Sequence, residues 1–181
     1  MKPRRYSSDA IILSRKNYGE ADRFLTVYSK NFGKLRLLAK GVRRPKSKKR
    51  GHIEVFSQLK FSASKGKGID LITEAETIAS FEVIRKDLKK VTVAYFLLET
   101  IRRITHDEEK NEELYNHLLE TLTLIKKSTN LRKLRYNFIY KTLILLGFWP
   151  VGKVMIDPDK VLTEVIERQM FSVRVGKKLL T

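Results

Sequence analysis

Two hydrophobic rhythms divide the chain. Up to about residue 80 apolar side chains recur at every second position, as in a strand with one buried face. From about residue 82 they recur every three or four, as on one side of a helix. In the first half "DAIILSR" (9–15) is a short branched-apolar run ended by the turn-like "KNYGEAD", and "RFLTVYS" (23–29) is rich in β-branched and aromatic residues. "KNFG" then supplies a hairpin turn, with Gly33 able to take a positive φ. In "KLRLLAK" (34–40) Leu35, Leu37 and Ala39 share one face, while Lys34, Arg36 and Lys40 share the other with Leu38. That is a half-buried strand whose solvent face is basic. "IEVFSQLKFS" (53–62) alternates Val55, Leu59 and Phe61 against Glu54, Gln58 and Lys60. "SKGKG" turns the chain, and "IDLITEAE" alternates Ile69 and Leu71 against Asp70. Five such strands with a long loop after the third predict a small closed barrel of OB type, because closure removes exposed edges.

The helical rhythm begins with "KDLKKVTVAYFLLETIRRI", where Leu88, Val91, Tyr95 and Leu98 form a stripe that Ala94, Leu97 and Ile101 widen. The next helix is bracketed by Asn111 as cap, Glu112 and Glu113 in its first turn and Lys126 and Lys127 in its last, as the macrodipole favours. Its core face is Leu114, Leu118, Leu122 and Ile125. "NLRKLRYNFIYKTLILLGFWP" repeats the logic, with Asn130 as cap, Leu131, Leu134 and Phe138 inward, Gly147 as stop and Pro150 beyond. A last helix is predicted from about Pro158 to Met170. The fold class is therefore α+β, with strands before helices. A barrel over 1–80 precedes a helical domain over 81–181, docked on it with no Pro/Ser-rich linker between.

Charge sharpens this picture. The 181 residues carry a net charge of +18, with 19 Lys and Arg against 7 Asp and Glu in residues 1–80 and 19 against 13 in the rest. An excess of this size calls for a polyanionic partner, and the barrel carries the larger share. Arg43, Arg44, Lys46, Lys48, Lys49 and Arg50 crowd the loop after the basic strand, with no acid among them. With Lys34, Arg36 and Lys40 they form the candidate phosphate-binding set, since a self-repelling cluster is relieved by a polyanion and releases its counterions. Tyr18 and Phe32 lie in expected loops and are the candidate base-stacking aromatics, whereas Phe24, Phe56 and Phe61 read as core. Nothing reads individual bases, so binding is expected to be largely independent of sequence.

Catalytic chemistry finds little support. The chain has no cysteine, and His52, His106 and His117 are scattered without metal-ligand spacing. Glu20 and Asp22 can in principle hold Mg²⁺, but capping a turn and pairing Arg23 is the simpler reading. "SKGKG" has the composition of a phosphate loop without its spacing or a following helix. No catalytic residue, metal or cofactor is expected. No apolar run approaches the ~18 residues of a membrane span, and the N-terminus lacks the apolar core of a secretory signal, so the cytosol is the expected compartment. In the helical half Arg132 and Arg135 sit beside apolar positions, the pattern of an apolar groove with a basic rim suited to an acidic, hydrophobic peptide.

Three stretches, in order, carry a family likeness: "YGEADRFLTVYS", "FGKLRLLAKGVRRPKS" and "FIYKTLILLGFWP", with "LITEAETIASFEVIRKDL" between the last two. Together, from about Ser7 to Pro150, they resemble the bacterial recombination mediator RecO family. The resemblance implies an N-terminal OB barrel and a helical C-terminal domain. It further implies a nucleoid-associated, non-enzymatic protein of recombinational DNA repair that binds single- and double-stranded DNA, anneals complementary strands and helps load recombinase. The partners it implies are RecR and the acidic C-terminal tail of the single-strand-binding protein. By motif it assigns DNA contacts to Lys34, Arg36, Lys40, Arg43 and Arg44; charge alone adds Lys46, Lys48, Lys49 and Arg50. Many relatives carry zinc-binding cysteines after the segment matching "LGFWP"; here "VGKVMIDPDKVL" follows, so zinc is not expected and the C-terminal lobe is expected to be short. The alternatives are an RNA- or ribosome-associated OB protein and a metal-dependent nuclease.

Overall fold

A computed structural model describes residues 3–179, with side chains as far as Arg168. Its strands are β1 (Arg5–Tyr18), β2 (Asp22–Ser29), β3 (Gly33–Ala39), β4 (Gln58–Ser64) and β5 (Asp70–Ala79). They close in the order β1-β2-β3-β5-β4, all neighbours antiparallel except β3 and β5, which meet in parallel at Leu37–Asp70 and Leu38–Leu71 alone. The expected five-stranded OB-type barrel is present, followed by helices. Its interior is filled by Ala10, Ile12, Leu25, Val27, Leu35, Leu37, Leu59, Phe61 and Ile72.

β1 and β4 differ from expectation for physical reasons. β1 is longer, and a bulge between Ile12 and Ser14 switches its side-chain parity. Ile11 and the bulged Leu13 face outward beneath the helices; after them Ser14, Lys16 and Tyr18 take the outer side. β4 begins only at Gln58, because Phe56 adopts a positive φ of 69°. The kink turns the Phe56 ring away from the ladder and edge-on to Tyr95, with centroids 4.7 Å apart. Burial of the ring against the helices offsets the strain of that backbone conformation.

The helices are α1 (Leu88–Ile104), α2 (Glu112–Lys127), α3 (Leu131–Leu145) and α4 (Pro158–Leu179). Asn111 and Asn130 cap as expected, accepting from Leu114 N and Lys133 N, and Asp87 caps α1 through Lys89 N and Lys90 N. α4 runs past the expected end at Met170. The α1 stripe is rotated from its expected position: Leu88 is 82% exposed and Tyr95 half exposed, while Ala94, Leu97, Leu98, Thr100, Ile101 and Ile104 are buried. Leu88 is the first helical residue and lies outside the packed part of α1, whose later turns are covered by both the barrel and α2–α3.

A single hydrophobic cluster joins the two parts of the chain. It contains Ile11, Leu13, Tyr28 and Phe56 from the barrel side and Phe81, Leu97, Ile101, Leu114, Tyr115 and Phe138 from the helical side. Gln58 Nε2 donates to Tyr115 Oη at 3.0 Å across the same junction. A separate cluster of Ile104, Ile139, Leu143, Met155, Leu162 and Val165 seats α4.

Candidate nucleic-acid interface

Register fixes which side chains share the outer wall of the barrel. Across β1, β2 and β3 the aligned rows are Ser14–Thr26–Arg36 and Lys16–Phe24–Leu38, with Tyr18 opposite Asp22 beyond them. Because alternate side chains point to opposite faces, Lys16, Tyr18, Phe24 and Arg36 form one surface, continued by Lys40 after β3. Tyr18 and Phe24 lie against each other with centroids 4.5 Å apart, and Tyr18 is 53% exposed. The surface thus combines cations with an open aromatic pair, the pairing that single-stranded nucleic acid binds through phosphates and stacked bases.

Lys34 leaves this set. Its ammonium turns to the C-terminal end of α1, donating to Arg102 O at 2.9 Å and to Thr105 O, with Asp107 at 3.3 Å. A cation there satisfies terminal carbonyls and complements the helix dipole. The α1–α2 loop is clipped to β3 by a short parallel bridge between Lys34 and Asp107 and by Glu108 N donating to Lys34 O at 2.9 Å. With its acids, this loop bounds the cationic wall at the Gly33 end.

The basic loop is anchored at several points. Val42 and Ile53 are fully buried in the barrel core and plug its end. Gly41 N donates to Asp22 Oδ1 at 2.7 Å, Arg43 N to Ala21 O at 2.9 Å, and Arg43 Nη1 to Gly19 O at 3.1 Å. Lys49 Nζ reaches Ile72 O at 3.1 Å. Arg43 and Lys49 therefore pin the loop to the β1–β2 turn and to β5. Arg44, Lys46, Lys48 and Arg50 are left exposed. Among the described residues no carboxylate lies within ion-pair distance of Arg36, Lys40, Arg44, Lys46, Lys48 or Arg50.

Other expectations are revised. Phe32 is not an open stacking platform: it packs edge-on against Tyr6 at 4.9 Å on the margin of the barrel core. Phe24, read as core, is half-buried on the outer wall, whereas Phe56 and Phe61 are buried as expected. Arg23 pairs with Glu54 at 3.7 Å and with Asn17 Oδ1 at 3.1 Å, while Asp22 holds the basic loop. Arg135 is stacked over Phe96 and ion-paired with Asp159, so it is already engaged, and Arg132 is exposed outside the groove. An apolar groove does lie between α2 and α3, floored by Leu134 and Phe138 beside half-exposed Leu124, but Lys127, Lys133 and Lys141 line it instead. Periodicity missed Lys16 because the bulge that brings it onto the wall leaves no mark on hydrophobic spacing. Among the described residues no group of three or more His, Asp or Glu is placed to hold a metal ion, and no helix is long and apolar enough to cross a membrane.

The chain matches the family model for the N-terminal part of recombination protein O over residues 1–81 and that for its C-terminal part over 85–153. It is similar to the DNA repair protein RecO of Pelotomaculum thermopropionicum, with 33% identity over 146 residues, 81% of this chain and 57% of that protein. The RecO of a Roseiflexus species is 30% identical over 168 residues, 93% of this chain and 59% of that protein. That of Desulforamulus reducens is 38% identical over 120 residues, 66% of this chain and 47% of that protein. The chain thus spans roughly half to three fifths of the length of these curated relatives.

Proposed function

The chain belongs to the RecO family of DNA repair proteins, and from that premise we propose that its barrel binds DNA and anneals complementary strands without enzymatic turnover. The observation that carries this reading is the cationic wall of Lys16, Arg36 and Lys40, without an ion-pair partner among the described residues, joined to Arg44, Lys46 and Lys48 and flanking the open Tyr18–Phe24 pair. Annealing is slowed by repulsion between two phosphate backbones, and a rigid array of uncompensated cations lowers that repulsion when both strands contact it. Stacking on Tyr18 and Phe24 would contribute about 1–3 kcal/mol per base while tolerating any sequence.

The family also supports a role as mediator, helping recombinase onto DNA coated by single-strand-binding protein, with RecR as partner. The α2–α3 groove, apolar at its floor and lined by Lys127, Lys133 and Lys141, the last paired with Glu120 at 3.7 Å, carries an excess of cations that suits that protein's acidic C-terminal tail. Isothermal titration with an acidic, hydrophobic-ended peptide tests it: K133E/K141E should abolish binding that R132E leaves intact.

The DNA reading is tested by fluorescence anisotropy with an oligonucleotide and by strand annealing, using R44E/K46E/K48E. These three exposed cations make none of the anchoring bonds of the loop, so the variant should fold while losing both activities. Full annealing by a folded variant, or preference for structured RNA in competition, contradicts the reading.

A further inference from the structure

We infer that the barrel carries two separate strand tracks, one on each face of the β1–β2 hairpin, so that one protomer holds two polyanionic strands at once. This rests on the DNA-binding reading above and deepens it. Beyond its bulge β1 alternates Ser14, Lys16 and Tyr18 on the outer wall with Arg15 and Asn17 on the opposite side, and β2 places Arg23 there too. On that second side Arg15 pairs with Glu54, Arg23 lies 3.7 Å from the same carboxylate, and Arg85 reaches it at 3.6 Å from the turn preceding α1. Burial disfavours the charge on Arg23, and repulsion from Arg15, Arg43 and Arg50 acts in the same direction, with Glu54 opposing.

Three guanidinium groups therefore share one carboxylate, with Arg43 and Arg50 near enough to Arg23 to repel it. A network built for structure alone balances its charges; this one leaves most of its positive charge unmatched on a surface that Arg43 and Arg50 extend towards the loop. Guanidinium forks match the paired oxygens of a phosphodiester. The two tracks differ in chemistry. The outer wall offers lysines and arginines around an aromatic pair, suited to the phosphates and stacked bases of a single strand. The inner side offers arginines and no aromatic ring, suited to the backbone of a second strand. One sheet separates them, and Glu54 occupies the second track until a phosphate displaces it.

The test counts strands. A short fluorescent oligothymidylate, which cannot pair with itself, is titrated into protein at concentrations well above the dissociation constant. Wild type should saturate at two strands per protomer, and R15Q/R50Q and K16Q/K40Q at one each, with annealing of complementary strands slowed about tenfold or more in both. E54Q keeps the shape of the side chain and should tighten the second strand several-fold; it carries the test if R15Q/R50Q does not fold. Wild type saturating at one strand while still annealing would overturn the two-track arrangement and leave the DNA reading standing. So would E54Q leaving the second strand's affinity unchanged. A wild type that neither binds nor anneals would overturn both.

Discussion

At the scale of residues, Gly33 and Lys34 hold the α1–α2 loop close against the start of β3. Gly33 has φ of 66°, and a Cβ there would overlap the backbone carbonyl of Glu109 in the loop clipped to β3. G33A should therefore lose at least about 2 kcal/mol in urea denaturation, from left-handed backbone strain plus overlap. Lys34 and Arg36 separate stability from binding. K34Q leaves helix-end carbonyls and Asp107 without their cation and should cost about 1–3 kcal/mol. It should leave the salt dependence of DNA binding unchanged. R36Q should do the reverse, lowering the slope of log affinity against log salt by ~0.7 on single strands with stability nearly unaltered. In sequence these two cations look alike, both on the polar side of one strand. What distinguishes them is the 105–110 loop, which reaches β3 only through the tertiary fold.

At the scale of elements, the basic loop acts as a plug with cations on its surface. Its fixed points are Val42, Ile53, Arg43 and Lys49, so neutralising Arg44, Lys46 and Lys48 to Gln should reduce the salt slope by about 2 on single strands without shifting the thermal midpoint. In the helical part His117 lies buried between α2 and α3, stacked on Phe138 and 3.3 Å from its carbonyl oxygen. Burial holds its pKa below the ordinary 6.5; the Phe138 carbonyl opposes this, Lys141 reinforces it and Glu120 opposes it. Below 6.5 the unfolded chain takes up a proton that the folded chain resists, so stability present at neutral pH is lost as pH falls towards the folded pKa. H117Q should flatten the decline of the melting temperature between about pH 7 and 5. β3 was legible because its apolar side chains alternate towards one buried face, and α2 because it has one buried stripe and its own cap. The start of β4 was not, because the positive φ of Phe56 serves a contact with α1. The α1 stripe was misjudged because its packed turns are covered from two sides, and periodicity assumes one.

At the scale of the whole molecule, barrel and helices share a core, which makes the cationic wall a rigid platform. Tyr28 and Phe56 on the barrel side are buried only because α1 and α2 cover them. F56A should lower stability by about 3–5 kcal/mol, since alanine keeps the strain at φ 69° and loses the ring's burial, while unfolding stays a single transition by fluorescence and circular dichroism alike. The net charge of +18 hinted at a polyanion from composition alone, but not at its geometry. That required the barrel to close, the bulge to turn Lys16 outward and Asp22 to hold the loop. The central claim is that uncompensated cations on this platform bring two repelling backbones together, and its most direct test is the rate of annealing of complementary oligonucleotides across a salt series. Strong acceleration over protein-free strands is expected at low salt, fading steeply as salt rises and absent in R44E/K46E/K48E. No acceleration at low salt, or acceleration that salt leaves untouched, would contradict it.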